Sequence, residues 1–217
     1  MKKLLAFVCM FMMATPAIAE GFFIGGETNL VVYPLWDAKI KDTIVSAGNI
    51  PNSSTEIAGG IGVGIHGGQW ITENFGWEVG YDHLGHASGN FSYWDSTFTN
   101  YYDYSWKATA NAFHGVVLGS INFGRSKLRG KAGLYRASTT VDLVSSSPVQ
   151  TSNSWSNNNT GLLIGGGYSF SFTDHLVGNA GLNLFNGVKF ADLPSANMNS
   201  TRSDNLLKIL VGLDYLF

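Results

Sequence analysis

The sequence predicts an all-β chain, an eight-stranded antiparallel up-and-down barrel that crosses a membrane. Three observations predict it. Apolar residues alternate with small or polar ones at period two in segment after segment. Charged residues are 13% of the chain and aromatics 13%, yet beyond residue 19 no stretch approaches the roughly 18 apolar residues of a membrane-spanning helix. A closed sheet is the other structure that satisfies its own backbone in lipid. Finally, the links between alternating segments are short and long in turn, as in bacterial outer-membrane barrels with short periplasmic turns and longer outer loops.

The first 19 residues stand apart. Lys2 and Lys3, the apolar run Leu4 to Met13, and Ala17-Ile18-Ala19 compose a secretory signal peptide with its small-x-small cleavage site. Cleavage before Glu20 is expected to leave residues 20–217 as one barrel domain. Cys9 would go with the leader, so no disulfide or thiolate chemistry is expected of the mature chain. Without Lys2 and Lys3, 11 basic residues face 15 acidic ones, a net charge of −4, and no basic block suggests nucleic acid.

The strands follow in order. Phe22 and Ile24 alternate with Phe23, Gly25 and Glu27. Ile61, Val63 and Ile65 alternate with Gly60, Gly62 and Gly64. This second stretch, GGIGVGIHGG, also spells the G-x-G-x-x-G of a dinucleotide loop, with Asp82 at a suitable distance. Such a loop leads into a helix, and here a turn and another alternating segment follow. The glycines read instead as lumen-facing positions of a narrow barrel.

Next, Phe75, Trp77, Val79 and Tyr81 alternate with Gly76, Glu78, Gly80 and Asp82. A strand around Phe113 to Ile121 fits neither phase, and its facing stays open. Leu128, Gly130, Ala132 and Leu134 alternate with Arg129, Lys131, Gly133 and Tyr135. Leu162 through Phe172, Leu176 through Leu184, and Leu207 through Phe217 complete the eight. Short links fall at 71–74, 124–127 and 172–174. Long links, rich in Ser, Asn, Thr and Gly, fall at 33–56, 88–106, 142–159 and 188–204.

On this phasing Glu27, Glu78, Asp82, Arg129, Lys131, Lys208 and Asp214 point inward. An eight-stranded barrel has an interior just wide enough for side chains. Buried charges are costly unless paired, so carboxylate–Lys/Arg pairs are expected across the lumen, foremost Glu78 with Lys131 or Arg129. Such a network plugs the barrel; the alternative is a porin-like, narrow ion or small-solute channel. Phe22, Phe75, Trp77, Phe123, Tyr168, Phe170, Phe172, Tyr215 and Phe217 cluster near turns or chain ends, as a periplasmic-side aromatic girdle does. No cofactor is called for.

The closing KILVGLDYLF resembles the assembly signal of outer-membrane proteins, with Phe217 terminal and Tyr215 two before it. The opening GFFIGGE and the segment GGGYSFSFTDHLVGNAGLNLF resemble the OmpA-like transmembrane domain and its small-barrel relatives. The resemblance spans the mature chain at the level of architecture. It implies export through the inner membrane, handling of the last strand by the barrel-assembly machinery, and internal salt bridges. Outer-membrane lipid and lipopolysaccharide are the surroundings it implies. The 217 residues hold no counterpart of the periplasmic peptidoglycan-binding domain of full-length OmpA proteins, so a wall-anchoring role is not expected to carry over.

Two stretches bear on chemistry. In DHLGHASGN, His86 and Ser88 share a face, as a nucleophile and its base would. The H-x-S resembles the motif of the PagL lipid A deacylases, which implies a lipid A-modifying hydrolase as an alternative function. In that family the motif lies late in the chain, and no matching downstream glutamate is found here, so the preferred reading is non-enzymatic. His83 and His86, three apart on a strand, are expected on opposite faces, which argues against a shared metal. The stretch NFSYWDSTFTNYYDYSW presents Tyr93, Trp94, Tyr101, Tyr102, Tyr104 and Trp106 as a candidate surface-binding loop. The same side chains would equally suit an outer girdle. The polar stretch LVSSSPVQTSNSWSNNN reads as a mobile loop. The expected role is structural and surface-interacting, adhesin-like, through extracellular loops that meet a host or cell-surface ligand.

Overall fold

The structure is a computed structural model of the 217-residue chain, and it describes residues 21–32, 50–52, 59–94, 101–147, 151–189 and 203–217. The strands are β1 (Phe22–Val32), β2 (Ile50–Asn52), β3 (Gly59–Thr72), β4 (Phe75–Trp94), β5 (Tyr101–Phe123), β6 (Ser126–Ser147), β7 (Thr151–Ser171), β8 (Leu176–Lys189) and β9 (Ser203–Leu216). Eight of them form the predicted ring. β1 pairs with β3, each later strand pairs antiparallel with the next, and β9 returns to β1, where Ile24 faces Tyr215. β2 stands outside the ring, laid against the far end of β4 with Pro51 opposite Tyr93.

The period-two pattern explains the ring's orientation. Ile61, Ile65, Val117, Leu134, Ile164 and Val211 are each more than half exposed on its outer surface. An uninterrupted apolar belt is unfavourable in water and is the solvent face of a barrel in lipid. Two of the tight turns share one device. Thr72 Oγ1 accepts from the Phe75 amide at 3.0 Å, and Thr173 Oγ1 accepts from the Leu176 amide at 3.0 Å, each hydroxyl closing its own turn.

The structure also settles the strand whose facing the sequence left open. Phe113, Val117 and Ile121 face lipid, while Ala112, His114, Val116 and Leu118 face inward. Val116, Val117 and Leu118 are consecutive apolar residues, so hydrophobicity could not choose between the phases.

Three expectations are corrected. β4 to β7 run for 20, 23, 22 and 21 residues, against 11 to 14 for the other ring strands. The stretch 142–159, read as a mobile loop, is mostly ladder, with Val141 opposite Trp155 and Thr140 opposite Ser156. Much of 88–106 is ladder too, from His86 opposite Thr109 out to Trp94 opposite Tyr101. The reason is physical. Beyond lipid a strand no longer needs an apolar outer face, so the alternation that marks it vanishes while its backbone bonds persist. The third correction is a bulge in β4. His83 faces Asn111 and His86 faces Thr109, so Leu84 and Gly85 together oppose only Ala110. Gly85 adopts φ +75°, and a Cβ there would lie 2.7 Å from the Ile61 carbonyl. The bulge resets the phase, and His83 and His86 both face outward.

Candidate functional site: a filled lumen and a raised wall

Glycines on the inner face make room for a layer of charge. Gly64 lies beneath Glu27 and Asp82, Gly25 beneath Asp214 and His66, and Gly80 beneath the His114 ring. Lys208 Nζ contacts Glu27 and sits 2.5 Å from Asp82 Oδ1. Lys131 Nζ lies 2.8 Å from Glu78 Oε1, while Arg129 reaches Asp214 at 3.0 Å. Two histidines complete the layer. His66 Nε2 is 2.8 Å from Asp214 and its Nδ1 3.8 Å from Glu27. His114 lies between Glu78 at 3.3 Å and Asp82 at 3.2 Å. The seven charged residues read as inward are therefore brought together in one layer.

The histidines were missed. His66 shares the inward phase of Gly60, Gly62 and Gly64, so its signal was there. His114 lies on the strand with no readable phase, so its signal was not.

The layer is tightly fitted. A Cβ on Gly80 would meet the His114 ring at 2.6 Å and the His66 Cβ at 3.0 Å. Gly80→Ala is thus expected to destabilise the barrel by about 1–3 kcal/mol, the usual cost of overpacking. Urea unfolding followed by tryptophan fluorescence checks this, and a variant as stable as the parent would show that the layer yields.

Above the charges, on the side away from the tight turns, the lumen becomes apolar. Val31, Leu84, Tyr135, Leu163, Phe185 and Leu206 are essentially fully buried there. Tyr135 and Phe185 meet edge to face with centroids 5.2 Å apart, and the Tyr135 hydroxyl donates to the Asn186 carbonyl at 2.9 Å. Ala108, Ala110 and Ala112 on β5 are buried in the same cluster as these bulky groups. On the side of the tight turns, Lys127 and the Arg129 of the layer lie 5.2 and 5.3 Å from the ring centroid of Trp70.

Trp106 needs correcting. It was grouped with the surface aromatics, yet it is 8% exposed and lies inside, over Gly89. Its neighbours Ala108, Ala110 and Ala112 share its inward phase. The side chains of Tyr93, Trp94, Tyr101, Tyr102 and Tyr104 lie outside the described residues.

Along the outer end the belt gives way to polar residues, His83 opposite Asn111 on β4 and β5 and Arg136 opposite Thr160 on β6 and β7. His83 Nδ1 and Asn111 Oδ1 are 2.8 Å apart. His86 and Ser88 both face outward on this wall. Among the described residues no group of three or more His, Cys, Asp or Glu is placed to hold a metal. At the opposite end Tyr215 and Phe217 are exposed, with ring centroids 5.1 Å apart, and the Phe217 amide donates to the Phe22 carbonyl at 2.9 Å.

No family model and no curated protein matches the sequence. Among solved structures, the chain is similar to Neisserial surface protein A (NspA), at 13% identity and a TM-score of 0.50, covering 90% of this chain and 97% of that one. It is also similar to the outer membrane protein OprG from Pseudomonas aeruginosa, at 10% identity and a TM-score of 0.52, covering 92% and 96%. The chain has the fold of the small eight-stranded outer-membrane β-barrels, the architecture that the OmpA-like resemblance implied.

Proposed function

We propose that this chain is exported by its first 19 residues, is inserted into the outer membrane through its last strand, and serves there as a closed, non-enzymatic barrel that meets partners at the cell surface. One observation carries the surface role. A strand needs about 9–11 residues to cross the membrane. β4 to β7 have 20 to 23, so two paired hairpins stand well above the lipid as a continuous wall. A ladder of that length is a rigid platform for the aromatic-rich sequence at the end of β4 and the start of β5, from Phe91 to Tyr104, which suits adhesin-like contact with a host or cell-surface ligand.

The channel alternative is disfavoured by two successive fillings of the lumen, one charged and one apolar. The hydrolase alternative is disfavoured because His86 and Ser88 lie on the outward wall with no bonded carboxylate to orient the imidazole among the described residues.

The test replaces residues 91–104 by a two-residue Asn-Gly turn, which closes the hairpin without touching the membrane belt. Cells displaying the shortened chain are expected to keep the folded barrel and lose at least tenfold in attachment to cultured host cells. Undiminished attachment by a folded, shortened barrel would sink the adhesin-like reading.

A further inference from the structure

The bulge in β4 leaves two histidines side by side on the outside of the barrel, where a regular strand would have set them on opposite faces. His83 stands opposite Asn111 and His86 opposite Thr109. Asn111 and Thr109 are two residues apart on β5, so the histidines are one same-face step apart, with ~6–7 Å between their Cα atoms. Leu84 turns into the lumen, where it is fully buried, and Gly85 has no side chain. Nothing on β4 therefore stands between the two imidazoles. His86 is exposed and His83 partly so.

One of the rings is already oriented. His83 Nδ1 donates to Asn111 Oδ1 at 2.8 Å. An amide oxygen only accepts, so this contact places the ring proton on Nδ1 and leaves Nε2 with its lone pair. A hydrogen bond from the far ring nitrogen to an oxygen is how metal-ligating histidines are held and turned. Two imidazoles with this Cα separation on one face both reach a single ion at a nitrogen–metal distance of about 2 Å. The donor set then selects the ion. Imidazole nitrogen suits zinc, nickel and copper, whereas magnesium and calcium take oxygen ligands.

We propose that His83 and His86 form a surface site for a divalent transition-metal ion of the zinc and copper class. Both imidazoles bind the ion through nitrogen, Asn111 positions His83, and water completes the shell. The site follows from the barrel fold and is separate from the surface contact proposed above, so either stands if the other fails.

The mature chain, carrying no histidine tag, is folded into zwitterionic micelles, and folding of every variant is confirmed by its heat-dependent shift on a gel. It is titrated with Cu²⁺ in a non-coordinating, slightly alkaline buffer. Calorimetry gives the half-point, and electron paramagnetic resonance counts the nitrogen ligands. One ion per barrel with two nitrogen ligands is expected, displaced by excess Zn²⁺ and not by Mg²⁺ or Ca²⁺. His83→Ala and His86→Ala should each weaken the half-point on the order of 100-fold, the low end of what tethering two ligands together contributes. Asn111→Ala should weaken it about tenfold while both nitrogens remain, as for other groups that orient a metal-bound imidazole. His175→Ala, in the turn between β7 and β8 at the opposite end, should leave it unchanged. The site is overturned by a spectrum with one nitrogen ligand, by either His83→Ala or His86→Ala binding like the parent, or by loss of binding in His175→Ala. Asn111→Ala binding like the parent would remove its positioning role.

Discussion

Lys208→Ala is expected to be the most damaging single substitution in the barrel, at about 3–5 kcal/mol, the range for removing one partner from a buried ion pair. Lys208 is fully buried and is shared by Glu27 and Asp82, so its loss leaves two carboxylates facing each other across Gly64. The apolar layer closes the lumen above, so water can relieve them only from the cavity of about 50 Å³ that Glu27, Glu78 and Lys131 line. The effect should be read as a shift in urea midpoint for protein folded in lipid vesicles. A second variant separates charge from volume: Lys208→Met with Glu27→Gln and Asp82→Asn keeps the packing and removes all three charges. Recovery of at least half the lost stability is expected, since buried pairs replaced by neutral groups of similar size are often near neutral. A Lys208→Ala protein within 1 kcal/mol of the parent, an outcome well below that range, would mean that the carboxylates are already wet.

The second large effect concerns conduction. In planar bilayers the parent barrel is expected to be silent, and so is Lys131→Ala, although that change removes the pair with Glu78. The reason is that the lumen is filled twice. Opening should require Tyr135→Ala together with Phe185→Ala, which removes the two rings packed edge to face in the apolar half. Each deletion of a buried aromatic side chain typically costs about 3–5 kcal/mol, so the double variant should also unfold at markedly lower urea. Brief openings in the double variant alone would assign the seal to the apolar layer. Stable, ion-selective openings in Lys131→Ala would assign it to the charges and revive the channel reading.

How much of this was legible depends on where each residue sits relative to lipid. Within the belt the sequence pattern is nearly sufficient. Ile61, Val63 and Ile65 must face lipid, so Gly60, Gly62 and Gly64 must face the lumen, and the dinucleotide-like spacing is a by-product of that alternation. Outside the belt the pattern fails, and Ser154 or Asn158 in a ladder reads the same as Ser or Asn in a loop.

The sequence by itself determined the barrel, its strand count, its orientation and the inward phase of Glu27, Glu78, Asp82, Arg129, Lys131, Lys208 and Asp214. Those are properties of single strands, set by a requirement that every membrane-spanning segment meets locally: apolar toward lipid, polar or small toward the lumen. Only the tertiary structure decided which charges meet, that His66 and His114 join them, that Trp106 turns inward, and that His83 and His86 share a face. The meetings depend on the register between strands distant in sequence, the turn of Trp106 on the phase of a strand whose hydrophobicity reads both ways, and the shared face of the histidines on a bulge that one glycine permits.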